Sequence, residues 1–171
     1  METLTHWIDN RSAAPTGERA GDVYNPATGE VQRKVAYSTP AEVDAAVESA
    51  KRALATWRVA SVAKRTRVLF AFRELVERHK DDLARMLTME HGKVFSDAQG
   101  EVQRGIEVIE FACGLADLTK GTFSENVSTE VDSYSIRQPV GVVAGITPFN
   151  FPAMVPMWMY PISIACGNTF V

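Results

Sequence analysis

A chain of 171 residues is long enough for one domain with a core of its own. Its apolar content of 46% and charged content of 23% are those of an ordinary globular protein. A net charge of −3 leaves no basic excess to neutralise phosphates, so nucleic acid is not an expected partner. No apolar run reaches the length of a membrane span. The start, Met-Glu-Thr-Leu-Thr-His-Trp, has neither the apolar stretch of a signal peptide nor the arginine-rich character of a transit peptide, so a cytoplasmic, reducing setting is expected.

The first forty residues read as strands and turns. Residues 4–8 suggest a strand running into a turn at Asp9-Asn10-Arg11, Asn25-Pro26-Ala27-Thr28-Gly29 is a strong turn signal, and residues 30–36 alternate as the next strand. Ser38-Thr39-Pro40, with Glu42 close behind, opens a helix whose apolar residues run Val43, Ala46, Val47, Ala50, Leu54 and Trp57. A second, longer helix is expected from Ser61 to a C-terminal cap at Gly92, with a stripe of Val62, Leu69, Phe72, Val76, Leu83, Met86 and Leu87. A third, over 96–118, carries Val102, Ile106, Ile109 and Cys113 on one stripe and Phe111 and Leu115 on an adjoining one. Residues 127–137 alternate as a single polar-faced strand, an edge element suited to pairing across a subunit boundary.

The last stretch is ordered strand, loop, helix, strand. An apolar run over 140–146 reads as a strand buried on both faces. A helix over 152–167, which Pro156 and Pro161 should kink, leads to a further strand opening at 168–171. This order fits a parallel α/β unit, in which ligands sit at the carboxyl ends of strands. Between strand and helix lies the most informative segment, residues 145–152, Gly-Ile-Thr-Pro-Phe-Asn-Phe-Pro. A strand end, a rigid Pro turn and a side-chain amide, Asn150, suit a site where a developing negative charge is stabilised. The alternative is that Asn150 caps the helix that follows. Cys113 and Cys166 sit in apolar helical patterns, with no CxxC and no His at ligand spacing, so reduced thiols and no metal site are expected.

Several motifs resemble those of the aldehyde dehydrogenase family. Pro148-Phe149-Asn150-Phe151-Pro152 resembles the family's Pro-[Trp/Phe]-Asn-[Phe/Tyr]-Pro motif. Glu90-His91-Gly92-Lys93 resembles its Glu-x-Gly-Lys motif, and Asn25–Gly29 its amino-terminal turn. Two further stretches, residues 100–108 and 146–156, resemble the coenzyme-A-acylating branch that oxidises methylmalonate and malonate semialdehydes. The resemblance implies an α/β fold, the amino-terminal part of the family's own, with strands and helices leading into a Rossmann-like parallel sheet that is incomplete here. It divides the chain into strands and helices of the coenzyme-binding domain (1–121), an edge or oligomerisation strand (122–137) and the start of the NAD-binding unit (138–171).

The chemistry that the resemblance implies begins with a cysteine thiolate attacking the aldehyde. Hydride then passes to NAD and leaves a thioacyl-enzyme. In this branch carbon dioxide is lost, and coenzyme A, as co-substrate, takes the acyl group. Asn150 matches the oxyanion-hole asparagine, and Ile146, Thr147, Pro148 and Phe149 match the loop along the dinucleotide. Phe151 and Trp158 match aromatic positions near the aldehyde tunnel. Arg104 matches an arginine that would hold the semialdehyde carboxylate, a role suited to a bidentate, permanently charged donor; the alternative is pairing with Glu101 or Glu107 on its own helix. The family's nucleophilic cysteine, glutamate base and Lys-Pro-Ser-Glu segment match nothing up to position 171, so the chain by itself is expected to be inactive. A homo-oligomer, dimer or tetramer, is expected of the complete protein. The rival readings are a non-acylating NAD(P)-dependent aldehyde dehydrogenase and a non-catalytic fragment.

Overall fold

The computed structural model describes residues 2–171. Strand β1 (Thr3–Leu4) pairs in parallel with β5 (Val31–Ala36), which pairs antiparallel with β4 (Ala20–Tyr24). The strand expected over 4–8 is interrupted at Thr5. Its second part, β2 (His6–Ile8), turns back through Asp9 and Asn10 to pair with β3 (Arg11–Ala13). Both turn residues have positive φ, 56° and 57°, as a two-residue hairpin turn of matching twist requires, and Asp and Asn tolerate that region.

Helix α1 (Pro40–Trp57) starts as its sequence indicates. The Thr39 hydroxyl accepts from the Glu42 amide at 3.3 Å, and the Glu42 carboxylate accepts from the Thr39 amide at 2.6 Å. This reciprocal cap satisfies two donors that a helix start leaves orphaned. Glu42 also accepts from the Thr16 amide at 2.6 Å, tying the amino-terminal arm to the helix. Hydrogen bonds from the Thr39 backbone, then the Thr16 backbone, bring the Glu42 carboxyl down to about 2.

The long helix expected from Ser61 to Gly92 is two helices, α2 (Val62–Arg78) and α3 (Lys80–His91), broken at His79 with φ −103° and ψ 16°. No glycine or proline marks the break. Asp81 and Asp82 fall in the first turn of α3, where carboxylates favour the positive end of a new helix. The break shifts the apolar stripe, so Ala84 and Leu87 are buried while Met86 is exposed. Gly92 closes α3 with φ 83°, as its position after the apolar stripe suggests.

The third helix is likewise shorter than expected. α4 (Phe95–Cys113) ends at Gly114, and a single turn, α5 (Leu115–Leu118), follows. α4 is the centre of the molecule and packs against α2, α3 and α6 (Met154–Ala165). Val102, Ile106 and Ile109 of α4 form the main core with Val76, Ala84, Leu87, Ala98 and Met157. At Gly105 a Cβ would lie 2.6 Å from the Met157 sulfur. Glycine there lets α4 and α6 approach closely, at the helix-propensity cost it carries. A second cluster joins Leu69, Ala112, Cys113 and Leu115 to Ala165. Cys113 is buried, Cys166 is half-buried, and both are free.

The single strand expected over 127–137 is a hairpin. β6 (Phe123–Ser128) pairs antiparallel with β7 (Val131–Tyr134), and Glu130 takes φ 60° in the turn. The alternation read as one strand therefore spans a reversal, and every residue of both strands is exposed.

The chain then forms a parallel unit of β8 (Val142–Val143), α6 and β9 (Thr169–Phe170). β8 is shorter than the run expected over 140–146 and is half-buried, because it has one paired neighbour. Val140 is 92% exposed and Ile146 95%. The Asn168 side chain fixes the unit by accepting from the Gly141 amide at 3.0 Å and donating to the Ser163 carbonyl at 3.2 Å. Pro156 lies in the first turn of α6, where an amide hydrogen has no helical partner. Pro161 lies inside the helix and forfeits a backbone bond. Among the described residues no helix is long and apolar enough to cross a membrane.

Candidate active site

Residues 146–150 form the loop from the carboxyl end of β8 toward α6, and all five are exposed. The Phe149 ring lies 6.0 Å from the ring of His91, the last residue of α3. Phe151 is half-buried, with the Lys93 ammonium 4.5 Å above its ring centroid, within the range of a cation–π contact. The same ammonium donates to the Asn150 backbone carbonyl at 3.3 Å.

A buried carboxylate holds this arrangement from below. Glu101, on the face of α4 that meets α6, has no exposed surface. One oxygen accepts from the Ala153 amide at 2.8 Å and the Met154 amide at 3.1 Å; the other is ion-paired with Lys93. Burial pushes the Glu101 carboxyl up, but hydrogen bonds from Lys93, Met154 and Ala153 outweigh it and hold the group below its ordinary value. Glu101 is thus a remote cap for α6, satisfying two orphan donors at the positive end of the helix.

That cap resolves the alternative for Asn150. The residue at the start of α6 is Ala153, which makes no side-chain cap, and the first amides bond to Glu101 rather than Asn150. Among the described residues the Asn150 side chain has no hydrogen-bond partner, so its amide is available to a ligand. Arg104 is exposed on α4 and in no ion pair among the described residues. Glu101, one of its two expected partners, is committed to Lys93. Arg104 and Trp158, which is 46% exposed, are each one residue along from the Gly105–Met157 contact, so both flank the α4–α6 packing.

Glu101 and Lys93 are the residues that sequence reasoning missed as parts of this site. The available signal was a glutamate set between Ala98, Val102 and Ile106 on an apolar helical face. A cleft of about 710 Å³ lies elsewhere, between Trp7, Trp57, Ile164 and Phe170, and includes none of the loop. No group of three or more His, Cys, Asp or Glu side chains that could hold a metal occurs among the described residues.

This strand-end loop with its free amide stands in a known context. The chain belongs to the aldehyde dehydrogenase family, whose model matches residues 13–171. It is similar to malonate-semialdehyde dehydrogenase 3 of Geobacillus kaustophilus, with 52% identity over 99% of this chain and 35% of that one. It is also similar to the malonate-semialdehyde dehydrogenase of Pseudomonas aeruginosa, with 47% identity over 100% of this chain and 34% of that one. Among solved structures, the methylmalonate-semialdehyde dehydrogenase of Oceanimonas doudoroffii matches with a TM-score of 0.96 and 48% identity, over 99% of this chain and 35% of that one. The NAD complex of a Sinorhizobium meliloti 1021 protein assigned the same activity matches with a TM-score of 0.97 and 49% identity, at the same coverage. The fold is therefore the amino-terminal portion of the aldehyde dehydrogenase fold, and the chain spans about a third of the length of the relatives it matches.

Proposed function

We propose that this chain supplies the oxyanion and cofactor loop of an NAD-dependent, coenzyme-A-acylating malonate- or methylmalonate-semialdehyde dehydrogenase. The observation that carries this reading is the unpartnered Asn150 amide at the end of β8, in a chain about half identical to enzymes named for those semialdehydes. As a thiolate attacks the aldehyde, the carbonyl oxygen gains negative charge, and a fixed amide donor lowers that barrier. Ile146, Thr147, Pro148 and Phe149, all exposed, offer backbone groups and apolar surface that suit the edge of a dinucleotide at a parallel strand end. NAD, when bound, supplies the hydride acceptor. Phe151 and Trp158 line the approach of the aldehyde, and Arg104 holds the carboxylate of the semialdehyde. The thiolate and the base come from outside residues 1–171, so this chain alone forms no NADH. Subunits of the complete protein associate through the exposed hairpin of β6 and β7.

The test uses a complete subunit, made by joining this chain to the remaining length of the P. aeruginosa relative. Malonate semialdehyde with NAD should give acetyl-CoA and carbon dioxide only when coenzyme A is present; free acid formed at the same rate without it would favour the non-acylating reading. In that subunit Arg104→Leu should raise KM for malonate semialdehyde by about tenfold to a hundredfold, the loss expected of a charge-assisted contact. Propanal should be little affected. Equal effects on both aldehydes would remove Arg104 from carboxylate binding.

A further inference from the structure

We infer that Lys93 and Glu101 are positioning residues that aim the Asn150 amide, an inference that rests on the oxyanion reading above. Three contacts converge on the segment carrying that amide. Lys93 donates to the Asn150 carbonyl at 3.3 Å and lies over the next residue's ring, Phe151, at 4.5 Å. Glu101 holds the amides of Ala153 and Met154. The two side chains are themselves ion-paired, with 10% and 0% of their surfaces exposed. The segment is therefore gripped at the backbone of residues 150, 153 and 154 and at the ring of Phe151, while among the described residues the Asn150 side chain is left without a partner. A side chain that must meet a developing charge gains from a backbone fixed by neighbours rather than by its own hydrogen bonds, since reorientation during reaction then costs nothing.

The grip is also built to stay ionised. Burial alone would neutralise a carboxylate, and the ammonium and two amides prevent that. With the pair ionised, each partner keeps the other from being an uncompensated buried charge. Neither residue touches the reacting atoms; both act through the backbone of residues 150–154. Loosening the grip should leave substrate binding largely intact and misdirect the amide.

The test is a double-mutant cycle in the complete subunit, with Lys93→Met, Asn150→Ala and the pair together, and Lys93→Arg as the conservative variant. Lys93→Met should lower kcat by about tenfold to a hundredfold, the cost of misplacing a group by a fraction of an ångström to an ångström. KM for the aldehyde should stay within about twofold, and Lys93→Arg should restore most of the rate. In the Asn150→Ala background, Lys93→Met should cost less than about twofold more, because no amide remains to be aimed. If Lys93→Met does not fold, Lys93→Met/Glu101→Gln, which leaves no unpaired buried charge, takes its place in the cycle. Equal losses in both backgrounds, with Asn150→Ala itself costly, overturn the positioning role and leave the oxyanion reading standing. An Asn150→Ala variant of unchanged kcat overturns both.

Discussion

Replacing Asn150 by alanine in a complete subunit is expected to lower kcat by about 10²–10³, the usual loss when one oxyanion donor is removed. KM for the aldehyde should change little, because the amide binds charge that the ground-state carbonyl lacks. The size of the effect follows from the surroundings. The Asn150 side chain has no internal duty, since α6 is capped by Glu101 and not by Asn150. Its removal should therefore cost catalysis without costing stability. A loss below tenfold, or a fall in thermal stability matching the fall in rate, would count against the assignment.

Glu101→Ala should be the most destabilising single change near the site, by about 3–5 kcal/mol, the usual cost of removing one partner of a buried ion pair. It leaves the Lys93 ammonium, 10% exposed, without its counter-ion, and two amides without acceptors. Against a total stability of roughly 5–15 kcal/mol, that is a large share. The urea midpoint should fall with an unchanged m-value. Glu101→Gln keeps one acceptor for the amides and should lose less. The sign of the pH dependence follows from the depressed native carboxyl. Its stabilising contribution is complete above the ordinary carboxylate range and is lost as pH falls through the lower native value. The alanine variant should therefore show a flatter acid limb than the parent chain, and identical limbs would show that Glu101 is not held ionised.

Whatever a residue type announces was legible in the sequence. Thr39, Pro40 and Glu42 carry the chemistry of a capping box, and the structure has one. Gly92 after the apolar stripe ends a helix at positive φ. The segment 145–152 concentrates Gly, Pro and an amide where a strand meets a helix. The misses lie where ordinary residues do unusual things. His79 ends a helix without glycine or proline, and Glu130 takes φ 60° in a turn that alternation alone reads as continuous strand. Glu101 was hidden differently, because the amides it serves are more than fifty residues away in the chain. The apolar face it shares with Ala98, Val102 and Ile106 signals its burial, but nothing nearby in the sequence signals the amides it serves.

The separation between Glu101 and the start of α6 has a consequence for the order of folding. Until Ala153 and Met154 arrive, the carboxylate has its ammonium but not its two amides, and burying it so incompletely paired is costly. The central face of α4 therefore closes over Glu101 only as α6 docks, so the core and the loop preceding α6 are completed in one cooperative step. The Ala153 and Met154 amides should then exchange their hydrogens as slowly as the Ile106 and Ile109 amides of the core, while those of residues 146–150 exchange freely. From Ala153 onward, release of the segment requires the domain itself to open.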